Sequence, residues 1–337
     1  MINTLIIDDS SLARDILRDF LLEDKNFNII GEAADGEEGV RKIFSLNPDL
    51  VTLDLEMPKM NGLEVIETVM KKMSVPIVVI SSHDTAKTAY EATMKGALEF
   101  YSKELFTSNL KPEKRKEIYE TLKRISGIKS QVKITAAESF ENREPEKRRI
   151  SAVVLASSTG GPKALSKFFS LLPGNLPVPV ILVQHNSPGF DESFAQWLGA
   201  YTPLKVKIAA EGETPVPGSV YVAETGKHLE LSGSAGNIVL RYNDEIPENN
   251  QKPAADVLFR TAAESLKQSV ISVVLTGMGN DGAAGTVNIR ETGGITLAQD
   301  EKSSLIYGMP KAAAETGCVD MILPLEKIPE EIIRLLA

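Results

Sequence analysis

Cysteine, tryptophan and histidine are scarce in this chain: one Cys (Cys318), one Trp and three His among 337 residues. A single cysteine excludes an intramolecular disulfide framework and any multi-cysteine zinc site. It suits a reducing, cytoplasmic location. Long apolar runs are missing as well, and nothing approaches the roughly 20 residues that cross a bilayer. The N-terminus, Met1-Ile2-Asn3-Thr4-Leu5, has neither the basic stretch nor the apolar core of a secretory signal. Neither export nor membrane insertion is expected. Positive charge is in deficit, with a formal net charge of -9, and no Lys/Arg stripe interleaved with aromatics offsets it. Such a chain repels phosphate backbones, so nucleic acid is not an expected partner. Internal repeats and low-complexity tracts are absent too.

What is present is an α/β pattern in two blocks, as a length beyond one ordinary core leads one to expect. Short β-branched runs alternate with amphipathic stretches up to about residue 127. The strand candidates are Thr4–Asp8, Asn28–Ala33, Leu50–Asp54, Ile77–Ser81 and Leu98–Tyr101. Five βα units of this kind predict a parallel sheet covered on both faces. Leu12, Ile16 and Phe20 with Leu17 and Leu21, and Val65, Ile66, Val69 and Met73, recur at helical spacing and are expected to face the core. The pattern then fails around residues 128–149, where charged residues crowd around Pro145. That segment reads as a linker with a reach of roughly 25 Å. Alternation resumes from Ile150 with Ala152–Leu155, Val178–Val183, a meander of shorter strands between about 205 and 241, Val270–Leu275 and Ile295–Ala298. The expected organisation is therefore a domain over 1–125, a linker over 126–149 and a second α/β domain over 150–337.

In the first block Asp8 and Asp9 close the first strand and Asp54 the third, which puts three carboxylates at the carboxyl edge of a parallel sheet, where ligands bind. Such a cluster repels itself unless a hard cation such as Mg²⁺ joins it. Ser81 closes the fourth strand and Lys103 follows the fifth, adding a hydroxyl and a cation suited to a phosphoryl group. Phosphoryl transfer onto Asp54 is the implied chemistry. Any one of these acids alone reads as a solvated loop residue; together they do not.

This segment resembles a response-regulator receiver domain, through Ile7-Asp8-Asp9-Ser10, Asp54-Leu55-Glu56-Met57-Pro58, Asn61-Gly62, Ser81-Ser82 and Lys103. The resemblance implies a (βα)5 flavodoxin-like fold, Asp54 as phospho-acceptor, Asp8, Asp9 and Asp54 around Mg²⁺, Ser81 as switch hydroxyl and Lys103 as partner of the phosphoryl group. Receivers usually carry Pro after that lysine; here Glu104 follows.

In the second block the strand from Ala152 runs straight into Ser157-Ser158-Thr159-Gly160-Gly161-Pro162 and then a helix. Small residues permit a sharp turn, and a helix N-terminus offers N–H groups to a developing anion. Both a nucleophilic serine and a phosphate-binding glycine turn fit; the absence of G-x-G-x-x-G spacing favours the serine. A serine needs a base, and the choice is among His83, His185 and His228. His83 lies in the first block. His228, between Lys227 and Leu229, reads as a surface or strand-end structural residue. His185 ends the strand that follows the serine turn and is the candidate base. Asp281, in Thr276-Gly277-Met278-Gly279-Asn280-Asp281-Gly282, is the candidate orienting acid, with an Asp-Gly turn or helix cap as its plainer role.

The order Ser, His, Asp is not that of the α/β hydrolases. Ser158-Thr159-Gly160-Gly161-Pro162, Gln184-His185, Pro188-Gly189-Phe190, 275–283, Ala298-Gln299-Asp300-Glu301 and Tyr307-Gly308-Met309-Pro310 instead resemble the chemotaxis protein-glutamate methylesterases, the CheB family, which carry a receiver in front. The resemblance spans nearly the whole chain. It implies a Rossmann-like, mainly parallel catalytic domain needing no cofactor of its own. Ser158 would be the nucleophile, His185 the base and Asp281 the orienting acid, with Met278 and Thr159 in the active-site loops around the oxyanion. The implied substrates are methyl-glutamyl esters, and certain glutamine amides, on chemoreceptor signalling helices. The implied partners are a chemotaxis histidine kinase as phosphodonor and methyl-accepting chemoreceptors as substrate. The chain departs from the family at Ser157, Asn186-Ser187, Glu224-Thr225 and Ala254-Ala255, where Ala, Met-Pro, Pro-Gly and Ser-Val are usual.

A receiver, linker and hydrolase in that order lead to the expectation that the unphosphorylated receiver blocks the Ser158 edge and that phosphorylation of Asp54 relieves the block. Two other classes fit parts of the sequence: a phosphorylation-dependent adaptor with a silent hydrolase domain, and a nucleotide-binding effector using Thr159-Gly160-Gly161.

Overall fold

The strands carry the architecture, and their order explains where side chains converge. The computed structural model describes residues 1–82, 86–106, 110–127 and 149–337. The chain forms two units, Met1–Lys133 and Ile134–Ala337. His83 and nearly all of the expected linker, 128–148, lie outside the described residues.

The first unit alternates β1 (Ile2–Ile7), α1 (Ser11–Leu22), β2 (Phe27–Ala33), α2 (Gly36–Leu46), β3 (Leu50–Leu53), α3 (Gly62–Met70), β4 (Ile77–Ser81), α4 (Ala86–Lys95), β5 (Glu99–Ser102) and α5 (Pro112–Ser126). The strands pair in parallel in the order β2-β1-β3-β4-β5. The order reverses between β1 and β3, so their carboxyl ends frame the crevice where doubly wound folds bind ligands. Local chemistry sets the helix starts. Ser10 accepts the Ala13 N–H at α1, and Asn61 with Glu64 forms a reciprocal capping box at α3. Leu17, Phe20 and Leu21 are buried as expected, but Leu12 is 68% exposed and Ile16 is exposed too. The apolar arc of α1 is wider than its contact with the sheet, and those two residues lie on its outer rim. Val65, Ile66 and Val69 are buried, whereas Met73 lies beyond α3 and is half-buried. β2 is an edge strand, and most of it is only half-buried despite its apolar composition.

The second unit runs β6 (Ala152–Ser157), α6 (Gly161–Ser170), β7 (Val180–Gln184), α7 (Asp191–Gly199), β8 (Lys205–Ile208), β9 (Ser219–Val222), β10 (His228–Ser234), β11 (Asn237–Asn243), α8 (Ala255–Leu266), β12 (Val270–Val274), α9 (Ala283–Glu291), β13 (Ile295–Gln299), α10 (Met309–Glu315), β14 (Met321–Leu323) and α11 (Lys327–Leu336). Seven strands form one parallel sheet in the order β14-β13-β12-β6-β7-β9-β8. The expected meander resolves differently: β8 and β9 join this sheet in parallel, and only β10 and β11 pair antiparallel, as a separate hairpin. That hairpin buries Leu229 and Leu231 in the same core as Leu258, Phe259 and Ala262 of α8, each large apolar side chain contributing about 1.5–3 kcal/mol. β6, β7, β12 and β13 are buried along their whole length. The chain leaves β6 toward β7 on one side and returns to β12 on the other, so residues 157–158, 185 and 275–281 meet at one sheet edge. The sequence alternation does not predict α10 or β14; both are short, and three residues of strand carry little periodicity.

Candidate active sites

At the β1/β3 crevice Asp8 and Asp54 are buried and Asp9 is exposed. Each offers a carboxylate oxygen within 4.8 Å of the other two. Lys103, just past β5, places its Nζ 2.8 Å from Asp54 Oδ2 and 2.8 Å from Asp8 Oδ2. Burial raises the Asp54 carboxyl above its ordinary value, and the Asp8 charge adds to this against the opposing Lys103 ammonium. Burial would lower Lys103, but its two carboxylate partners outweigh it and hold the ammonium above its usual range. Ser81 is buried at the end of β4, paired in register with Ser102 next to Lys103. Glu104 lies in a 3-10 turn over Lys103–Phe106. Three carboxylate oxygens this close form a hard-oxygen donor set, and one of the carboxylates, Asp9, is open to solvent. The set fits Mg²⁺, which keeps several waters and takes few protein ligands.

At the β6/β7/β12 edge the two serines separate clearly. Ser157 is fully buried, and its Oγ donates to Gln184 Oε1 at 2.6 Å. Ser158 is half-buried. Its N–H donates to Thr276 O at 3.0 Å, and its carbonyl accepts the Gly161 N–H at 2.6 Å. Gln184 Nε2 then donates to Ser158 O and His185 O, at 3.2 and 2.9 Å. One buried carboxamide thus ties the serine turn to the histidine. A Cβ on Gly161 would collide with that carboxamide, and one on Gly277 would lie 2.8 Å from Ser158 Cβ and strike Met309 Sδ, so both positions require glycine. Gly277 is further clamped by N–H groups of Gly308 and Met309 donating to its carbonyl, and Thr159 O accepts the Thr276 hydroxyl at 3.0 Å. Met278 follows, half-buried.

His185 Nε2 lies 2.9 Å from Asp281 Oδ2, with both side chains nearly inaccessible. Its other nitrogen, Nδ1, is buried and has no hydrogen-bond partner among the described residues. Burial would raise the Asp281 carboxyl, but the hydrogen bond and charge of His185, with the Ala255 and Asp256 N–H groups, hold it below its ordinary value. Asp281 Oδ2 accepts from Ala255 N at 2.6 Å, and Oδ1 accepts from Asp256 N at 3.0 Å, Gly282 N at 3.1 Å and Asn249 Nδ2 at 3.2 Å. α8 has no capping side chain of its own at Ala254, so Asp281 caps it from another segment, where the helix dipole favours an anion. Asp256 returns the favour, accepting the Gly285 N–H of α9 at 2.6 Å. Burial and the neighbouring Asp281 push its carboxyl up to about 6. Asn249 Nδ2 bridges to it at 2.7 Å.

A model of the CheB methylesterase family matches residues 153–332, and one of the response regulator receiver domain matches residues 4–113. The chain is 39% identical over 342 residues to a protein-glutamate methylesterase/protein-glutamine glutaminase of Pyrococcus abyssi, covering 99% of this chain and 93% of that one. The chain belongs to the CheB methylesterase family. The namesake protein of Pyrococcus horikoshii is also 39% identical, over 343 residues, with the same coverage of both chains. The crystal structure of the Thermotoga maritima CheB methylesterase catalytic domain superposes with a TM-score of 0.54 at 40% identity, covering 56% of this chain and all of that one. A parallel α/β catalytic unit preceded by a receiver is the architecture of this family, as the sequence led one to expect.

Against the usual CheB pattern, two departures prove to be neighbours. Asn186 Nδ2 and the Thr225 N–H and hydroxyl all donate to buried Asp191, at 3.3, 2.9 and 2.7 Å, joining the loops after β7 and β9. His228 opens β10, as a strand-end residue would, but is 0% exposed and so not on the surface. For Gln184, Asn249, Asp256 and His228 the sequence pattern implies no functional role. Only Gln184 carries a visible signal, an amide closing an otherwise apolar strand. No helix among the described residues is long and apolar enough to cross a membrane.

Proposed function

We propose that this chain hydrolyses glutamyl methyl esters on chemoreceptors, and the amides of certain glutamines, with Ser158 as nucleophile, His185 as base and Asp281 as orienting acid, and that phosphorylation of Asp54 gates the reaction. The observation that carries the assignment is the His185–Asp281 pair. With Nε2–H committed to an anionic carboxylate, the lone pair belongs to Nδ1, a buried nitrogen with no hydrogen-bond partner among the described residues, on a residue whose backbone N–H donates to Ser157 O next to Ser158. The base nitrogen is therefore Nδ1. It takes the Ser158 Oγ proton as Oγ bonds to the ester carbonyl carbon, and the tetrahedral oxyanion develops next to the backbone of Thr159 and Met278. The proton passes to the departing methoxide, which leaves as methanol, or to the departing amine of a glutamine, which leaves as ammonia. Water then attacks the acyl-enzyme, His185 again accepts a proton, and glutamate and free Ser158 result.

In the receiver, domain 1–125 on this reading, Asp54 is the phosphoryl acceptor. Mg²⁺ would be held by Asp8, Asp9 and Asp54, where it would supply positive charge to neutralise phosphoryl oxygens. Lys103, already poised on Asp54, pairs with the transferred group, and Ser81 is the hydroxyl that reads it. The phosphodonor is a chemotaxis histidine kinase, and the setting is cytoplasmic. The assay is methanol release from methylated chemoreceptor, with mass spectrometry of receptor Gln-to-Glu conversion for the amide reaction. Turnover that is abolished in Ser158→Ala supports the reading; receptor binding with no turnover makes the protein an adaptor.

A further inference from the structure

His228 is a buried histidine of the second unit that the chemistry above leaves unused, and burying a polar imidazole costs free energy unless both nitrogens are satisfied. Here both are. Nε2 lies 3.1 Å from the carbonyl oxygen of Ile246, and Nδ1 lies 3.1 Å from the backbone nitrogen of Ala254. A carbonyl accepts only and an amide N–H donates only, so the ring is fixed as the neutral tautomer, with the proton on Nε2 and the lone pair on Nδ1.

Ala254 is the residue immediately before α8, and the next two N–H groups, of Ala255 and Asp256, are the ones that hold the two oxygens of Asp281. Ala254 has extended backbone geometry, φ -104 and ψ 136, and no side chain that caps the helix. The orientation of the first α8 turn thus depends on where the Ala254 N–H is anchored, and its anchor is His228 Nδ1. The imidazole itself is held by β10, whose Leu229 and Leu231 pack into the core shared with α8.

We infer that His228 is a positioning residue for the hydrolase: through the Ala254 N–H it sets the α8 N–H pair that holds Asp281, and through Asp281 it sets the ring orientation of His185. This deepens the proposed function and rests on the Ser158–His185–Asp281 reading. A shift of about 1 Å in such a chain of contacts can cost on the order of 100-fold in rate.

Two substitutions separate the two nitrogens. His228→Asn places an amide oxygen near the position of Nδ1 and can keep the bond to Ala254. His228→Gln places its amide near Nε2 and can keep only the bond to Ile246. Full-length protein with methylated receptor is the system, and folding is checked by thermal unfolding. Expected is kcat within about threefold of wild type for His228→Asn, and a fall of about 10-fold or more for His228→Gln with KM changed less than about twofold. His228→Phe, if it folds, should resemble Gln; if it does not, the Asn/Gln pair decides alone. A second readout does not use activity: the strongly downfield proton NMR resonance of His185 Nε2–H should survive in His228→Asn and be lost or broadened in His228→Gln. Equal kcat in the Asn and Gln variants, or an unchanged proton resonance in Gln, overturns the inference. Ser158→Ala distinguishes this from failure of the underlying reading. It should abolish turnover and leave that proton in place, and turnover surviving in Ser158→Ala would sink the triad assignment whatever the His228 variants do.

Discussion

At the acidic edge of the first unit, Asp54 is restrained by a cation, with Lys103 Nζ 2.8 Å from it and equally close to Asp8. At the serine edge of the second, the comparable carboxylate, Asp281, has no Lys or Arg partner among the described residues; three backbone N–H groups, Asn249 and His185 hold it. Both edges lie where a parallel sheet reverses its strand order. On the proposed function they differ because they handle charge differently. A phosphoryl site must accept a group with several negative oxygens, so mobile or exchangeable cations suit it. A triad acid must keep one charge in one place through many turnovers, and rigid dipoles do that without bringing a competing cation to the histidine.

If that contrast is right, the serine edge should fail steeply when one group is removed. Ser158→Ala is expected to lower kcat by at least about 10⁴-fold, since removing a nucleophile leaves only what binding and the oxyanion site supply. Steady-state methanol release measures it, and activity above about 1% of wild type would move the nucleophile elsewhere. Asp281→Asn comes next, at about 10³–10⁴-fold, because a neutral amide can present its NH₂ to Nε2 and invert the tautomer. A loss under about tenfold would mean that Asp281 is only the cap of α8.

Asp256 carries a stability effect of the opposite sign from an ordinary paired acid. Its folded value of about 6 lies above the ordinary 3.8. Between those values the folded state binds more protons than the unfolded one, so stability falls as pH rises from about 4 to 6. Asp256→Asn removes that slope. Relative to wild type, the variant should gain up to about 3 kcal/mol between pH 4 and pH 7 in denaturant unfolding, and a difference flat in pH would show that the buried Asp256 is not strained by ionisation. Ser157→Ala should have the smallest effect. It restores the residue usual in the family, leaves Gln184 Oε1 short of a donor at a cost of about 1–3 kcal/mol in stability, and keeps kcat within a few-fold.

The same contrast governs what could be read from sequence. The convergence of Asp8, Asp9, Asp54 and Lys103 was legible because ionic clusters are written in side chains at strand ends, and the pairing of His185 with Asp281 because so few histidines compete for it. Dipole sites are written in backbone. Nothing in His228 or Ala254 announces that one accepts the other's N–H across 26 residues, and Asp281 looks the same in sequence whether it caps a helix or bonds a histidine; here it does both. Fold class followed from strand periodicity, but periodicity does not say how far an apolar arc is covered, which is why Leu12 and Ile16 lie outside. Nor does it say how strands pair: β8 and β9 extend the parallel sheet because β9 hydrogen-bonds to β7, a long-range choice that four-residue strands do not encode.

The coupling of the two sites is the central claim, and one measurement addresses it most directly: the rate of methanol release from methylated chemoreceptor by the full-length chain, with Mg²⁺, with and without a small-molecule phosphodonor, for wild type and Asp54→Asn. The account predicts a phosphodonor-dependent rise of about tenfold or more in wild type, the equivalent of about 1.4 kcal/mol, and none in Asp54→Asn. A rate that does not respond to the phosphodonor in wild type, although mass spectrometry finds Asp54 phosphorylated, would contradict it.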